Sequence, residues 1–144
     1  LEEEPASRHV QIRKIVCALD LERESLQVLQ SAVSLSRKFS AELTLVHCVA
    51  APESGPAENF LSEFDRFLAD TARKRIAELQ AGAGTDFEVF LEGGSISATV
   101  RDAARRYGAD LVVIGRGHAQ AAFSRLRSNA FAIIRQSPCP VLSL

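Results

Sequence analysis

The sequence predicts a single α/β domain on a mostly parallel β-sheet, and three observations lead to this fold class. Short apolar runs alternate with longer segments of helical periodicity, in the order β-α-β-α-β-α-β-α-β. Three of the apolar runs are continuous, which is typical of strands covered by helices on both faces. The length of 144 residues suits one domain with one well-buried sheet. Because crossovers between parallel strands are right-handed, we expect a doubly wound sheet with helices on both faces.

Each predicted strand is recognised by its apolar pattern. Residues 14–20, 43–49 and 111–114 are the three continuous runs. In residues 87–92 an apolar set alternates with a set that contains two glutamates, which indicates a strand near a sheet edge with one face less covered. Residues 141–144 are predicted to be a short final strand.

Four helices are predicted between the strands, because apolar residues recur there at three- and four-residue steps. They are marked by residues 26–39, 60–79, 96–107 and 126–134. The second helix is predicted to stop in the glycine-containing segment 81–84, since glycine tolerates the left-handed conformation that often follows a helix.

Composition and charge place the chain among ordinary globular proteins. Hydrophobic residues make up 47% of the chain, charged residues 24%, and the formal net charge is -1. This balance gives no reason to expect nucleic acid or a membrane surface as a partner. All 18 acidic residues precede Leu111, however, so the last part of the chain is cationic.

The cysteines and the absence of targeting patterns favour a cytoplasmic protein. Cys17, Cys48 and Cys139 are too widely spaced for a CxxC pair or a zinc-ligand cluster, and we interpret them as free buried thiols. No stretch has the length of a membrane-spanning helix, and no signal-peptide pattern is present. Residues 1–12 are predicted to be an N-terminal arm, or the edge of the expressed segment, and residues 13–144 the domain.

The type of sheet predicts where a small ligand would bind. In an open doubly wound sheet, ligands lie beyond the carboxyl ends of the strands, where the winding reverses. The first predicted strand ends at Asp20, the second at His47 and Cys48, and the fourth at Gly115. These residues come together only if the first and fourth strands are neighbours.

The segment that follows the fourth strand is a candidate anion site. Gly115 and Gly117 let the backbone turn and expose N–H groups, and Ser128 and Asn129 lie near the start of the predicted last helix. Free N–H groups and the helix dipole favour a phosphate there. The segment is not a Walker A loop, since no Gly-Lys-Ser/Thr follows, and Gln120 breaks the G-x-G-x-x-G pattern.

Arginines near that helix start have two interpretations. Arg125 and Arg127 lie beside it, and Arg116 and His118 lie in the preceding loop. A cation at a helix N-terminus is disfavoured by about 0.3–1 kcal/mol, and a bound phosphate would turn this repulsion into attraction. Alternatively, the guanidinium groups point into solvent at little cost.

Asp20 and His47 also have alternative roles. Asp20 suits a ribose hydroxyl or Mg²⁺, but aspartate is also a favoured residue at a helix N-cap. His47 lies in an apolar strand, so a core histidine with one satisfied nitrogen is favoured over a ligand. Spacing supports no Ser-His-Asp or Cys-His pairing, and we predict no catalytic constellation.

With these residues assembled, the chain resembles the universal stress protein family over residues 13–144. The resemblance is carried by Ala18-Leu19-Asp20, by the strand 43–49, by Gly94, by the segment 108–115 and by the closing segment 134–142. It implies a Rossmann-like, three-layer α/β/α fold of the adenine nucleotide alpha hydrolase type, with a five-stranded sheet of order 3-2-1-4-5. It also implies a regulatory or protective role in the stress response.

The resemblance further implies a homodimer formed when the last strand, from Val141 to Leu144, pairs with its symmetry mate. A short, apolar edge strand is well served by such pairing. A regulatory protein partner is expected but not identified.

Many members of the family bind ATP through a G-2x-G-9x-G-S/T signature. The counterpart here is Gly115, Arg116, Gly117, nine residues, then Arg127-Ser128, so the first interval is one residue short and arginine replaces the third glycine. The resemblance implies an adenine nucleotide (ATP, ADP or AMP), with or without Mg²⁺. Cys48 would contact adenine through its backbone, and Gly115, Gly117 and Ser128 would line the phosphates. The nucleotide-binding residues so implied are Ala18, Leu19, Asp20, Cys48, Ile114, Gly115, Arg116, Gly117, Arg127, Ser128 and Asn129.

The arginine at position 127 leaves two functions open. If its guanidinium clamps the phosphate, the chain is a nucleotide-binding regulatory module with, at most, slow ATP hydrolysis. If its side chain fills the space that glycine leaves for the phosphate, the chain is a dimer that binds no nucleotide and acts through protein contacts.

Overall fold

Strands and helices alternate in the order that the sequence predicts. The computed structural model describes residues 11–49, 58–115 and 129–144, with side chains from residue 63 onward in the second range. The elements are β1 (Lys14–Ala18), α1 (Ser25–Phe39), β2 (Glu42–Val49), α2 (Glu58–Ala83), β3 (Glu88–Gly93), α3 (Ile96–Tyr107), β4 (Leu111–Ile114), α4 (Ala130–Gln136) and β5 (Val141–Ser143).

The described strands form one parallel sheet of order β3-β2-β1-β4-β5. This confirms the predicted fold class and strand order. Ala18, the last residue of β1, pairs with Val46 of β2 on one side and with Ile114 of β4 on the other. The first and fourth strands are therefore neighbours, which is the condition for the candidate site residues to meet.

The core lies on both faces of the sheet, because successive strand residues point to opposite sides. Along β1, Ile15 and Cys17 face the layer of α1 and α2, whereas Val16 and Ala18 face the layer of α3 and α4. All four are buried, which explains why β1 is continuously apolar rather than alternating. Burial of a large aliphatic side chain such as Ile15 stabilises the fold by about 1.5–3 kcal/mol.

The outer face of α2 differs from the sequence expectation. Phe64 and Phe67 belong to the residues that predict this helix, yet they are 44% and 65% exposed. The side chains that α2 buries include Ala72, Ile76 and Gln80. Phe67 lies nine residues before Ile76, or about two and a half helical turns, so it projects from the opposite side. The two phenylalanines therefore do not contribute to the core.

Two expectations from composition can be compared with the structure. Cys17, Cys48 and Cys139 are free, as predicted; the first two are buried and the third is half-buried. Among the helices of the described segments, none combines the length and the apolar content that a membrane span requires.

Candidate functional site

β1 ends level with β4 but before β2 at the carboxyl edge of the sheet. Ala18 is level with Val46, but β2 continues to Val49, and on the other side Gly115 follows the last residue of β4. After Leu19, whose N–H donates to the carbonyl oxygen of Val46 at 2.9 Å, the chain leaves the sheet. Among the described residues, a crevice above the end of β1 is therefore bounded by the extended end of β2 on one side and by Gly115 on the other.

The backbone groups of Cys48 and Gly115 face this crevice. Peptide groups of alternate strand residues point to alternate neighbours. The Val46 carbonyl points towards β1, so the peptide groups of Cys48, two residues later, point to the same side. The Ile114 carbonyl accepts from Leu144 on the β5 side at 2.9 Å, so Gly115 points the other way, towards β1. Backbone hydrogen-bonding groups thus flank the crevice from both strands.

Asp20 is held in a fixed position at the floor of the crevice. Its Oδ1 accepts from the N–H of Glu22 at 2.9 Å and from the hydroxyl of Ser25 at 3.1 Å. Between them, Leu21 adopts a left-handed backbone with φ 62°, an unusual conformation for a non-glycine residue. Asp20 is not the N-cap of α1, since Glu24 occupies that position. Its carboxylate braces the loop that leads into the helix.

Gly115 is required by packing as well as by position. A Cβ at this residue would lie 2.9 Å from Cγ2 of Val28 on α1, which is closer than carbon atoms pack. Glycine therefore lets α1 lie tightly against the end of β4. The family resemblance implies a phosphate-lining role for Gly115, which stays a prediction, and the contact with Val28 is an independent reason for a residue without a side chain.

His47 contacts the turn at the end of β1. Its Nδ1 lies 2.8 Å from the carbonyl oxygen of Leu19. Because a carbonyl oxygen only accepts, Nδ1 carries the proton and donates. The half-buried ring thus links β2 to the point where β1 leaves the sheet, which supports the structural interpretation of this histidine.

The thiol of Cys48 points away from the crevice. Its Sγ donates to the carbonyl oxygen of Gly94 at 3.2 Å and accepts from the Thr99 hydroxyl at 3.6 Å. These contacts lie in the layer of α3, where Cys48 is buried. Only the backbone of Cys48 therefore faces the crevice, and its contact with adenine stays a prediction.

The structure brings most of the described site residues to one edge of the sheet. Six lie around the end of β1: Ala18, Leu19, Asp20, Cys48, Ile114 and Gly115. Asn129 occupies the N-cap position of α4, and its side chain makes no capping hydrogen bond to that helix. Four predicted residues, Arg116, Gly117, Arg127 and Ser128, lie outside the described residues, as do His118 and Arg125. The nucleotide-binding role of the whole set stays a prediction.

Two residues that shape the site were missed by the sequence reasoning. Ser25 was not singled out, although a hydroxyl five residues after Asp20 at a predicted helix start is a recognisable partner for a carboxylate. Val28 carries no sequence signal for its contact with Gly115, because that contact depends on how α1 crosses β4. Within the described part of the chain, no group of three or more His, Cys, Asp or Glu side chains could hold a metal ion.

Comparison with known proteins identifies the family. The model of the Universal stress protein family matches residues 11–144. Universal stress protein A of Escherichia coli (strain K12) is 29% identical over 126 residues, which cover 85% of this chain and 86% of the relative. Among solved structures, a universal stress protein from Lactobacillus plantarum superposes with a TM-score of 0.78 at 20% identity, covering 93% of this chain and 98% of its own.

A second solved structure adds a bound nucleotide. The universal stress protein from Archaeoglobus fulgidus in complex with dAMP has a TM-score of 0.56 at 20% identity, over 92% of this chain and 98% of its own. At such identities the structural likeness establishes the fold alone. Together with the family match over nearly its whole length, it shows that this chain belongs to the universal stress protein family.

Proposed function

We propose that this universal stress protein binds an adenine nucleotide (ATP, ADP or AMP) at the carboxyl ends of β1 and β4, and that it acts in the cytoplasm as a regulatory or protective module. The observation that carries the proposal is the crevice above Ala18, which is flanked by the inward-pointing backbone groups of Cys48 and Gly115. Such a crevice at the reversal of strand order is where doubly wound sheets bind ligands.

The chemistry of the crevice suits a nucleoside. A purine edge presents both donors and acceptors, and the peptide groups of Cys48 offer both kinds of partner without a mobile side chain. The carboxylate of Asp20 is oriented by Glu22 and Ser25, so it can accept from a ribose hydroxyl, or assist Mg²⁺, without being ordered by the ligand. The dAMP complex of the Archaeoglobus fulgidus relative supports an adenine nucleotide as the ligand class.

The phosphate end of the ligand would meet the cationic part of the chain. Residues 111–144 carry Arg116, Arg125, Arg127 and Arg135 and no acidic residue. Guanidinium groups are strong partners for phosphate oxygens because they donate in a planar, bidentate fashion. The proposal therefore requires that affinity increase with phosphate charge.

The proposal is tested by calorimetric titration of dialysed protein with ATP, ADP and AMP, each with and without Mg²⁺. Saturable binding in which ATP is the tightest is the expected result. The variant Asp20→Asn keeps an oxygen that can accept from Glu22 and Ser25 but loses the charge, so we expect an intact fold and nucleotide affinity about tenfold weaker. Asp86→Asn, an exposed aspartate before β3, is the matched control and should bind as the wild type does. No heat signal with any of the three nucleotides would refute the proposal.

Arg127→Gly then separates the two interpretations of the altered glycine signature. A loss of affinity in this variant means that the guanidinium clamps phosphate. A gain means that the side chain partly occludes the site, and no binding in either protein returns the chain to the class of nucleotide-independent dimers.

We also propose that two copies of the chain pair through β5. In the described sheet, β5 is an edge strand with β4 as its neighbour. Two exposed apolar side chains on α4, Phe131 (81%) and Ile134 (53%), stand above this edge. The Gln136 side chain points towards α3, because its amide oxygen accepts from the Arg101 guanidinium at 3.4 Å. Helix residues two positions apart project about 200° from one another, so Ile134 points away from α3, over the edge of β5. A second copy would pair the edge and cover these side chains.

The pairing is tested by sedimentation velocity. Wild type is expected to sediment as a dimer, and Ile134→Glu as a monomer, because the buried carboxylate would be unpaired across the two-fold axis. The matched control is Phe39→Glu, a 41% exposed residue at the end of α1 that lies on the other layer of helices. A monomeric wild type at micromolar concentration would rule out the pairing.

A further inference from the structure

We propose that the outer edge of β3, with the groove beside it, binds an extended peptide segment of a partner protein, which adds a sixth strand to the sheet. The site consists of the outward-facing peptide groups of Val89 and Leu91 and of a groove between β3 and α2, and we call it the β3 edge site. None of its residues takes part in the proposed nucleotide site, so a failure of one proposal leaves the other intact.

The register of the sheet shows which peptide groups of β3 face outward. The carbonyl of Val46 in β2 points towards β1, where it accepts from Leu19. The partner of Val46 in the β2–β3 ladder is Phe90, and in a parallel ladder one residue of each such pair bonds to the other strand while its partner bonds away from it. Phe90 therefore points towards β2, and its neighbours Val89 and Leu91 point away from the sheet. The described residues supply no hydrogen bond to these outward N–H and C=O groups.

Gln80 of α2 shows that this edge pairs with an amide in strand-like geometry. Its side-chain nitrogen donates to the Phe87 carbonyl at 3.1 Å, and its side-chain oxygen accepts from the Phe87 N–H. Phe87 lies two residues before Val89, so its peptide groups point to the same outer side. The side chain of Gln80 thus closes the amino end of the edge as a neighbouring strand would. The next outward groups, at Val89 and Leu91, are about 6.6 Å apart, which is the spacing that an extended polypeptide matches.

The groove lies on the side where side chains of an added strand would project. Its volume is about 380 Å³, within the range of about 300–1,000 Å³ that is usual for ligand sites. It is lined by the exposed Ala77 and Ala81 of α2 and by the half-buried side chains of Phe87 and Val89. Because alternate residues of a strand project to the same face, an added strand would place its apolar side chains against these small residues.

The charged groups around the site do not select a charged partner, because both signs occur on each side of the edge. Arg73 and Asp86 line the groove on the α2 side. On the α3 side, Glu88 and Glu92 belong to β3, and the guanidinium of Arg106 lies 5.6 Å from the ring centre of Phe90. Backbone hydrogen bonds and the apolar groove therefore define the partner as an uncharged, extended segment with apolar residues at alternate positions. Strand addition to a sheet edge uses these two kinds of contact.

A second copy of the chain fits this edge less well than an uncharged strand. If two β3 strands pair in antiparallel fashion about Phe90, Glu88 of each copy lies opposite Glu92 of the other, and like charges in this position are destabilising. A shift of the centre by one residue towards the amino end sets Asp86 against Glu92 instead. A shift towards the carboxyl end shortens the paired segment to residues 89–93.

The test uses a fluorescein-labelled peptide of about eight residues in which valine alternates with threonine, titrated with the full chain and followed by anisotropy. The wild type should bind it saturably. Two further peptides carry N-methyl groups, one on its valines and the other on its threonines. The two sets of N–H groups point to opposite edges of the peptide, so one of these peptides should bind about tenfold more weakly and the other should bind as the unmodified peptide does.

Two variants of the chain test the edge and the groove separately. In Leu91→Pro the ring removes an outward N–H and no bond to β2, so peptide affinity should fall about tenfold. In Ala77→Gln the larger side chain occupies the groove, and affinity should fall severalfold. Ser34→Gln, which changes an exposed small residue of α1 to the same side chain, is the matched control and should bind as the wild type does. Both glutamine variants should leave the free energy of unfolding nearly unchanged.

Three results would overturn the proposal. The first is the lack of saturable peptide binding by the wild type. The second is equal affinity of the wild type for all three peptides, a comparison that does not depend on whether Leu91→Pro folds. The third is an assembly of the wild type larger than the β5-paired dimer that Leu91→Pro, but not Ser34→Gln, abolishes in sedimentation velocity, because a second copy would then be the occupant.

Discussion

The amino and carboxyl edges of the same sheet differ in how their backbone hydrogen-bonding groups are placed. At the amino edge, the Asp110 carboxylate accepts from the N–H groups of Arg13 and Lys14 at 2.9 and 3.1 Å, and Glu42 N–H donates to the Arg13 carbonyl at 2.8 Å. These backbone N–H groups are thus hydrogen-bonded within the chain. At the carboxyl edge, the peptide groups of Cys48 and Gly115 point into a crevice instead.

The difference indicates that one edge of the sheet stabilises the fold while the other offers backbone groups for binding. Closing the amino edge with a charged acceptor adds hydrogen bonds that hold β1 in register. Left-handed backbone does not distinguish the edges, because Leu21 and Gly94 adopt it at the carboxyl edge and Ser40, Gly84 and Gly108 adopt it before strands at the amino edge. The edges differ instead in where their hydrogen-bonding groups point, since those of Cys48 and Gly115 face the crevice. Substitutions at the two edges should therefore have different consequences.

The largest effect is expected at the carboxyl edge, for Gly115→Val. The added side chain meets Val28 at a distance that forces α1 to move, since a Cβ alone would lie 2.9 Å from it. We expect the free energy of unfolding, measured with urea, to fall by about 1–3 kcal/mol.

The second-site change Val28→Ala provides the control for this prediction. Removing the two methyl groups makes room for a small side chain at 115, so the pair Gly115→Ala/Val28→Ala should lose less stability than the sum of the single variants. Strict additivity would show that the contact between α1 and β4 is not what requires glycine.

A second prediction concerns the middle of β1, which lies between the two edges. Burial raises the pKa of the Cys17 thiol from 9.0 to about 12. The native state therefore keeps this proton while the unfolded chain releases it above pH 9. Stability that is complete below pH 9 should then fall by about 1.4 kcal/mol per pH unit as the pH rises towards 12.

Urea unfolding at several pH values from about 8 to 10.5 measures this slope. The variant Cys17→Ala should be less stable at neutral pH but should show a shallower fall in alkali. Parallel slopes for the two proteins would mean that the native state does not protect the Cys17 thiol from ionisation.

The smallest effect is expected at the amino edge, for Asp110→Ala. The substitution removes two hydrogen bonds to a charged acceptor, but both N–H groups are exposed, so water can replace the carboxylate as acceptor. We therefore expect the free energy of unfolding to fall by about 1 kcal/mol. Nucleotide affinity should not change. A loss of affinity in this variant would show that the two edges are coupled through β1.

Much of the fold could be predicted from local pattern, and particular residues show why. The continuous runs in β1, β2 and β4 identified strands buried on both faces, and the strand order implied by the family resemblance agrees with the structure. The end of α2 near Gly84 was also predicted, because its left-handed φ of 68° is a local requirement. Phe64 and Phe67 were less informative, since apolar residues at helical spacing mark a helix without showing which of them are buried.

The candidate site could be predicted only in part, for a similar reason. Asp20, Cys48 and Gly115 were chosen because residues that end neighbouring parallel strands meet at one edge. Their individual roles depend on directions that the sequence does not encode: the side chain of Cys48 turns towards α3 while its backbone faces the crevice. The support that Ser25 gives Asp20 depends on the left-handed turn at Leu21.

By itself, the sequence determined which segments form strands and helices, and which strand ends carry polar groups, because these properties follow from patterns over a few neighbouring residues. Tertiary structure decided that β1 leaves the sheet before β2 does, that α1 packs against Gly115, and that two phenylalanines of α2 remain in water. Each of these features depends on contacts between segments far apart in the chain, where packing in three dimensions selects among alternatives that are equivalent in the local pattern.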